Sequence, residues 1–113
     1  MINVYGIKNC NKMRDTFKWM DDHKIEYQFT DLKKEPLSDE KLAEFADKVG
    51  IDVLVNKRGM KWRQLGLADK DLSEQDLFDT LLENQTMMKR PVLENGEALL
   101  IGYDEDAFKD FMD

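Results

Sequence analysis

The chain has 113 residues, 42% of them hydrophobic and 36% charged, which is apolar enough to fill one core and argues against disorder, so a single domain over residues 1–113 is expected. Its 24 acidic and 17 basic side chains leave a net charge of −7, the wrong sign for a protein held to nucleic acid by phosphate contacts. The one cysteine, Cys10, excludes an internal disulfide and with it a disulfide-stapled secreted fold.

Ile2, Val4 and Tyr5 favour a strand that ends at Gly6, and the turn region Lys8-Asn9-Cys10-Asn11 leads into a helix with Met13, Phe17 and Met20 on one face. Ile25, Tyr27 and Phe29 alternate with Glu26, Gln28 and Thr30, which predicts a half-exposed strand over Ile25 to Asp31 and completes a βαβ unit. After the charged connection Lys33 to Pro36, Ser38 is placed to cap a second helix bearing Leu42, Phe45 and Val49, with Gly50 suited to the position after its end. A short helical segment through Val53 to Val55 follows. A turn over Asn56 to Gly59 comes next, with Trp62 and Leu65 returning apolar groups to the core. Ser73 and Asp76 resemble a capping box ahead of a helix carrying Leu77, Leu81 and Leu82.

The last third changes period. Pro91-Val92-Leu93 and Ala98 to Ile101 flank Glu94-Asn95-Gly96-Glu97, where Asn-Gly signals a tight antiparallel hairpin. Ala107, Phe108 and Phe111 then sit at helical spacing behind Asp104-Glu105-Asp106, acids suited to a helix N-terminus. The order βαβ, helical segment, ββα predicts an α/β protein with a four-stranded mixed sheet, the thioredoxin-fold arrangement with a helical insertion. No stretch approaches the ~20 apolar residues of a membrane span and no secretory signal is evident, so a cytoplasmic location without membrane contact is expected.

A cysteine between a strand and the mouth of a helix faces unpaired amides and the positive end of the helix dipole, and Lys8, Lys12 and Arg14 add positive potential. These favour the thiolate, the nucleophilic form. Activation alone raises the rate only a few-fold, because nucleophilicity falls with basicity; the larger part of catalysis has to come from groups that position a partner. The competing reading makes Cys10 a small buried hydrophobe. The second position of a Cys-x-x-Cys pair is Met13, so a disulfide intermediate requires an external thiol.

Arg90-Pro91 opens an apolar strand. A cis bond there would expose backbone polar groups and turn Arg90 toward the Cys10 loop, whereas the trans state is the common one. Lys57, Arg58, Lys61 and Arg63 form a basic cluster that either binds a carboxylate or oxyanion or is a solvated face. Trp62 within it reads as a packing anchor and His23 as a partner of a helix C-terminus. No metal site is expected.

Gly6-Ile7-Lys8-Asn9-Cys10, Asn56-Lys57-Arg58-Gly59, Trp62-Arg63-Gln64-Leu65, Lys89-Arg90-Pro91 and Ile101-Gly102-Tyr103-Asp104-Glu105 together resemble the arsenate reductase-like family that includes the Spx regulators, and most of all its YffB-type branch. The resemblance implies a thioredoxin-like fold with a helical insertion, a catalytic cysteine at Cys10 and an Arg-cis-Pro at Arg90-Pro91. Arsenate reductases of this type hold the oxyanion with three arginines. Arg90 matches one of them, Asn56 occupies the place of the first with Arg58 two residues later, and Gly102 occupies the place of the third. Their histidine four residues before the cysteine is Gly6 here.

The Spx branch implies a transcriptional regulator that binds RNA polymerase, often through a Cys-x-x-Cys switch that Met13 removes. The YffB-type branch implies a glutathione-dependent thiol reductase. The resulting expectation is a thiol oxidoreductase with Cys10 as nucleophile and with Lys8, Asn9, Asn11, Arg58, Arg90 and Pro91 binding substrate. It has no bound cofactor, glutathione or another small thiol as co-substrate, and glutaredoxin as a further partner. A non-enzymatic regulator on RNA polymerase and an arsenate reductase are the alternatives.

Overall fold

In the computed structural model, which describes residues 1–112, the backbone divides into two units: residues 1–35 with 90–112, and residues 36–89. The first unit holds the sheet. Strand β1 (Ile2–Gly6) is followed by helix α1 (Asn11–Asp22) and strand β2 (Tyr27–Asp31), and after the insertion by β3 (Val92–Asn95), β4 (Ala98–Ile101) and helix α6 (Glu105–Met112). The strand order is β2-β1-β3-β4, with β1 parallel to β2 and antiparallel to β3, and β4 antiparallel to β3. This is the mixed four-stranded sheet that the element order predicts.

One sheet face packs against the helices. Ile2 and Val4 of β1 and Leu93 of β3 meet Met13, Trp19 and Met20 of α1 and Phe108 of α6 in one buried cluster. The buried stripe of α1 is wider than the periodicity of Met13, Phe17 and Met20 indicates. Thr16 is fully buried because its hydroxyl donates to the Lys12 carbonyl (2.7 Å), and Phe17 is half-buried beside Tyr27 and Phe29. His23 closes the helix: its Nδ1 lies 2.7 Å from the Trp19 carbonyl, which only accepts, and its ring stacks on the indole. Strand β2 begins at Tyr27, two residues later than predicted, since Ile25 instead donates its amide to the Met20 carbonyl in the turn that leaves α1.

The hairpin is tighter than its sequence signal. Asn95 pairs with Ala98, so the loop is Gly96-Glu97 alone, with Gly96 at φ 61° in the glycine position of a type II′ turn. Strand β3 therefore continues through Glu94. That carboxylate is buried (6% exposed) on the sheet face opposite the cluster, accepting from the Tyr5 hydroxyl at 3.0 Å and from Asn3 Nδ2 at 3.1 Å. Asn95 Nδ2 donates to the Phe111 carbonyl and ties the hairpin to α6. Asp104, expected only as a dipole partner, caps α6 by accepting from the amides of Asp106 and Ala107.

The second unit is helical: α2 (Asp39–Val49), α3 (Ile51–Leu54), α4 (Met60–Gln64) and α5 (Glu74–Glu83), with 3-10 turns at Leu67–Asp69 and Gln85–Met87. Ser38 caps α2, and Ser73 with Asp76 completes both bonds of the capping box at α5, as the spacing predicts. Helix α4 carries the buried Trp62 in a stretch too short to show helical periodicity.

A buried amide joins the first and last segments of this unit. Gln85 accepts from the Leu37 amide (2.7 Å) and donates to the Leu37 carbonyl (2.8 Å), as a neighbouring strand would. Substituting Gln85→Ala strands both buried backbone groups, and a lost stability of about 2–4 kcal/mol is expected. Urea denaturation measures it; a loss below about 0.5 kcal/mol means that the clamp contributes nothing net.

Candidate functional site

Cys10 is the residue that caps α1, in extended conformation (φ −141°, ψ 133°). Its amide donates to the Lys8 carbonyl at 3.1 Å, and its own carbonyl accepts from the amides of Met13 and Arg14 at 3.1 and 3.0 Å. The loop and the helix thereby hold its backbone from both sides. The thiol makes no capping hydrogen bond, and no acidic residue lies in the first turn to offset the positive end of the helix. Cys10 is half-buried and packs against the core cluster, so it has both the hydrophobic contact of a structural cysteine and an open face. Lys8, Asn9 and Asn11 around it are exposed.

The sheet register brings the other half of the site to the same place. Tyr5 pairs with Val92, and one step further along the two antiparallel strands sets Pro91 beside Gly6, at the end of β1 from which the Cys10 loop departs. The Arg90-Pro91 bond is cis. Pro91 is buried and its carbonyl accepts from the Gly102 amide at 2.8 Å, while Arg90 is half-buried ahead of the ladder. Lys8, Asn9, Cys10, Asn11, Arg90 and Pro91 thus share one end of the sheet.

Arg58 belongs to the helical unit, on the exposed turn before α4. Its amide donates to Asn56 Oδ1 (3.1 Å). Beside it Lys57 is engaged by Asp52 at 3.1 Å and lies 5.9 Å from the centroid of the Trp62 ring. The basic cluster is therefore partly internal structure, and Trp62 is the packing anchor that its sequence suggests.

Two glycines at this sheet end have specific local reasons. A Cβ on Gly6 would lie 2.6 Å from Met13 Sδ and 2.7 Å from Met13 Cε. The fully buried Met13 thioether fills the space against the strand end. Gly102 sits at φ 95°, a conformation that L side chains rarely adopt. Behind it Tyr103 packs edge-on against Phe108, and partial burial followed by the Glu105 carboxylate raises its phenol above the ordinary tyrosine range. Sequence reasoning treats Gly6 and Met13 separately; the legible signal is a large residue on the buried helical stripe opposite a glycine at a strand end.

The profile of the ArsC family matches residues 5–111. The chain belongs to the ArsC family. It is 40% identical over 111 residues to an uncharacterized protein of Haemophilus influenzae, covering 96% of each chain. It is 29% identical to the global transcriptional regulator Spx of Lactiplantibacillus plantarum, over 99% of this chain and 86% of that one. Among solved structures, a YffB protein superimposes over 100% of both chains with a TM-score of 0.92 and 32% identity. A glutaredoxin from Archaeoglobus fulgidus, at 13% identity over 96% of this chain and 82% of its own, shares the fold alone with a TM-score of 0.51. The fold is thioredoxin-like, and the ArsC family relates the chain to both arsenate reductases and Spx regulators.

Gly6 at the end of β1 and Met13 on α1 meet at this sheet end. The contact between these two residues makes them one packing unit. Replacing Gly6→Ala forces Met13 to shift and is expected to cost about 1–3 kcal/mol. Met13→Ala alone is expected to cost about 2–5 kcal/mol through the cavity left behind. The double variant should lose at least ~0.5 kcal/mol less than the sum, because the new methyl enters space that the thioether has vacated. Urea denaturation of all four proteins gives the coupling; strict additivity would show that the two sites are independent.

Proposed function

We propose that the protein is a glutathione-dependent thiol oxidoreductase in which Cys10 is the only protein sulfur that reacts. The observation that carries this reading is an uncapped cysteine at the N-terminus of α1, on the sheet end it shares with Arg90-Pro91, and with a buried methionine in place of a resolving thiol. In the first step the Cys10 thiolate attacks the glutathione sulfur of a mixed disulfide. A new S–S bond forms to Cys10, the old one breaks, and the substrate leaves as a thiolate that takes a proton from water. In the second step the thiolate of another glutathione attacks the same glutathione sulfur, releasing glutathione disulfide and regenerating the Cys10 thiolate. The net reaction transfers glutathione from the mixed disulfide to one free glutathione thiol, so that the substrate is released as a thiol and the two glutathiones leave joined as one disulfide. No bound cofactor takes part, and glutaredoxin can take the place of the second glutathione.

Arg90 is assigned to a glutathione carboxylate, by a charge-assisted hydrogen bond from its guanidinium. Lys8 adds positive potential, and Asn9, Asn11 and the backbone beside Pro91 supply polar contacts for the peptide part of glutathione. Arg58 is assigned to a second carboxylate by its place in the sequence alone. A cytoplasmic setting supplies the reduced glutathione that the cycle consumes.

A second reading, a non-enzymatic transcriptional regulator that binds RNA polymerase, is supported by the identity to Spx along nearly the whole chain. Arsenate reduction is the third. It finds less support, because a histidine at Gly6 would meet Met13 and an arginine at Gly102 would need a strained backbone.

Cys10→Ser should abolish glutathione transfer from a mixed-disulfide substrate. Arg90→Ala should raise the KM for glutathione roughly 10- to 150-fold, the equivalent of one hydrogen bond to a charged group, with a smaller change in kcat. Arg58→Ala tests the second assignment in the same assay. Activity that survives Cys10→Ser overturns the mechanism. Absence of any transfer by the native protein, together with polymerase co-purification that survives Cys10→Ser, replaces it with the regulator.

A further inference from the structure

Outside the sheet, the helical unit has a groove of about 760 Å³ between α2 and α5. Along α2 it follows Asp39, Ala43, Ala46, Asp47 and Gly50, one face of the helix over its whole length, roughly 16 Å at 1.5 Å per residue. This is not the face that fills the core: Leu42 and Phe45 are fully buried on the other side. The opposite wall is the first half of α5, where Phe78 lines the groove while Leu77 and Leu81 are buried. Ala43, Ala46 and Phe78 make a half-buried apolar floor.

The rim is acidic: Asp39 and Asp47 on α2, Glu74 and Asp79 on α5. None of the four has an ion pair among the described residues. Lys48, the cation on the groove, is held by Glu44 at 3.6 Å. Asp39 and Glu74 lie in first turns, where the helix dipole favours them. Asp47 lies near the C-terminal end of α2, where the dipole disfavours an anion, and among the described residues no cation pairs with it. A groove about three helical turns long, with an apolar floor at Ala43, Ala46 and Phe78 and carboxylates on its rim that have no cation partner among the described residues, is complementary to one kind of occupant.

We propose that this groove docks a basic amphipathic helix of a partner protein, its apolar side chains laid on Ala43, Ala46 and Phe78 and its lysines or arginines facing Asp47 and Asp79. Cations from the partner supply the charge that Asp47 lacks among the described residues. The surface is independent of the chemistry assigned to Cys10.

The test uses the full chain, nitrogen-15 labelled, and two synthetic peptides of identical lysine and leucine composition. One has leucines at i, i+3, i+4 and i+7; the other is a scrambled isomer without a helical stripe. The amphipathic peptide should shift amides within Asp39–Gly50 and Glu74–Asp79 saturably and bind at least about tenfold more tightly than the isomer. The charge-reversal pair Asp47→Lys and Asp79→Lys, both exposed and therefore compatible with the fold, should weaken binding about tenfold, while Cys10→Ser leaves it unchanged. Equal binding of the two peptides, shifts scattered over the acidic surface, indifference to the charge reversal, or binding only to phosphatidylcholine vesicles overturns the proposal.

Discussion

Val4 and Leu93, both fully buried, pair across β1 and β3 although nearly the whole chain lies between them. The side chains on one face of this antiparallel ladder form the floor for α1 and α6. On the other face the ladder puts Asn3 opposite Glu94, so that a carboxylate that would be costly to bury alone receives donors from Asn3 and Tyr5. Its register also sets the start of β3 against the end of β1. A slip of one residue in β3 would turn Leu93 away from the cluster it shares with Val4, part Glu94 from Asn3, and move Arg90-Pro91 away from the Cys10 loop.

The chemistry of the site follows from that geometry more than from any single side chain. Cys10 is held by backbone bonds on both sides, and its thiol is left out of the capping role that a serine or threonine would take there. Met13 fills the volume that a side chain at Gly6 on β1 would need. The same packing completes the core under the Cys10 loop, and Cys10 is the one thiol the sequence carries.

Much of this is legible in the sequence because the relevant signals are local. Ser38 and Ser73 announce their helices through short-range hydrogen bonds, and the alternation around Tyr27 and Phe29 announces a strand. The cis state of Arg90-Pro91 is implied only by the family resemblance, since local sequence favours trans. Features that depend on distant residues are not legible. Glu94 reads as part of a turn until Asn3 and Tyr5 are brought to it, and Gly6 reads as a strand terminator until the fold packs Met13 against it. Helix α4 escapes sequence reading because five residues around one buried tryptophan contain no period to detect.

The Gln85 clamp on Leu37 bears on how such a chain changes over evolutionary time. Because one side-chain amide fastens the beginning of residues 36–89 to their end, the insertion closes its own loop, and the strands on either side need not hold it shut. Helices within it can lengthen, shorten or acquire new surface charges without disturbing the pairing of β1 with β3. A change on the surface of the helical segment therefore leaves intact the closure that Gln85 makes on Leu37.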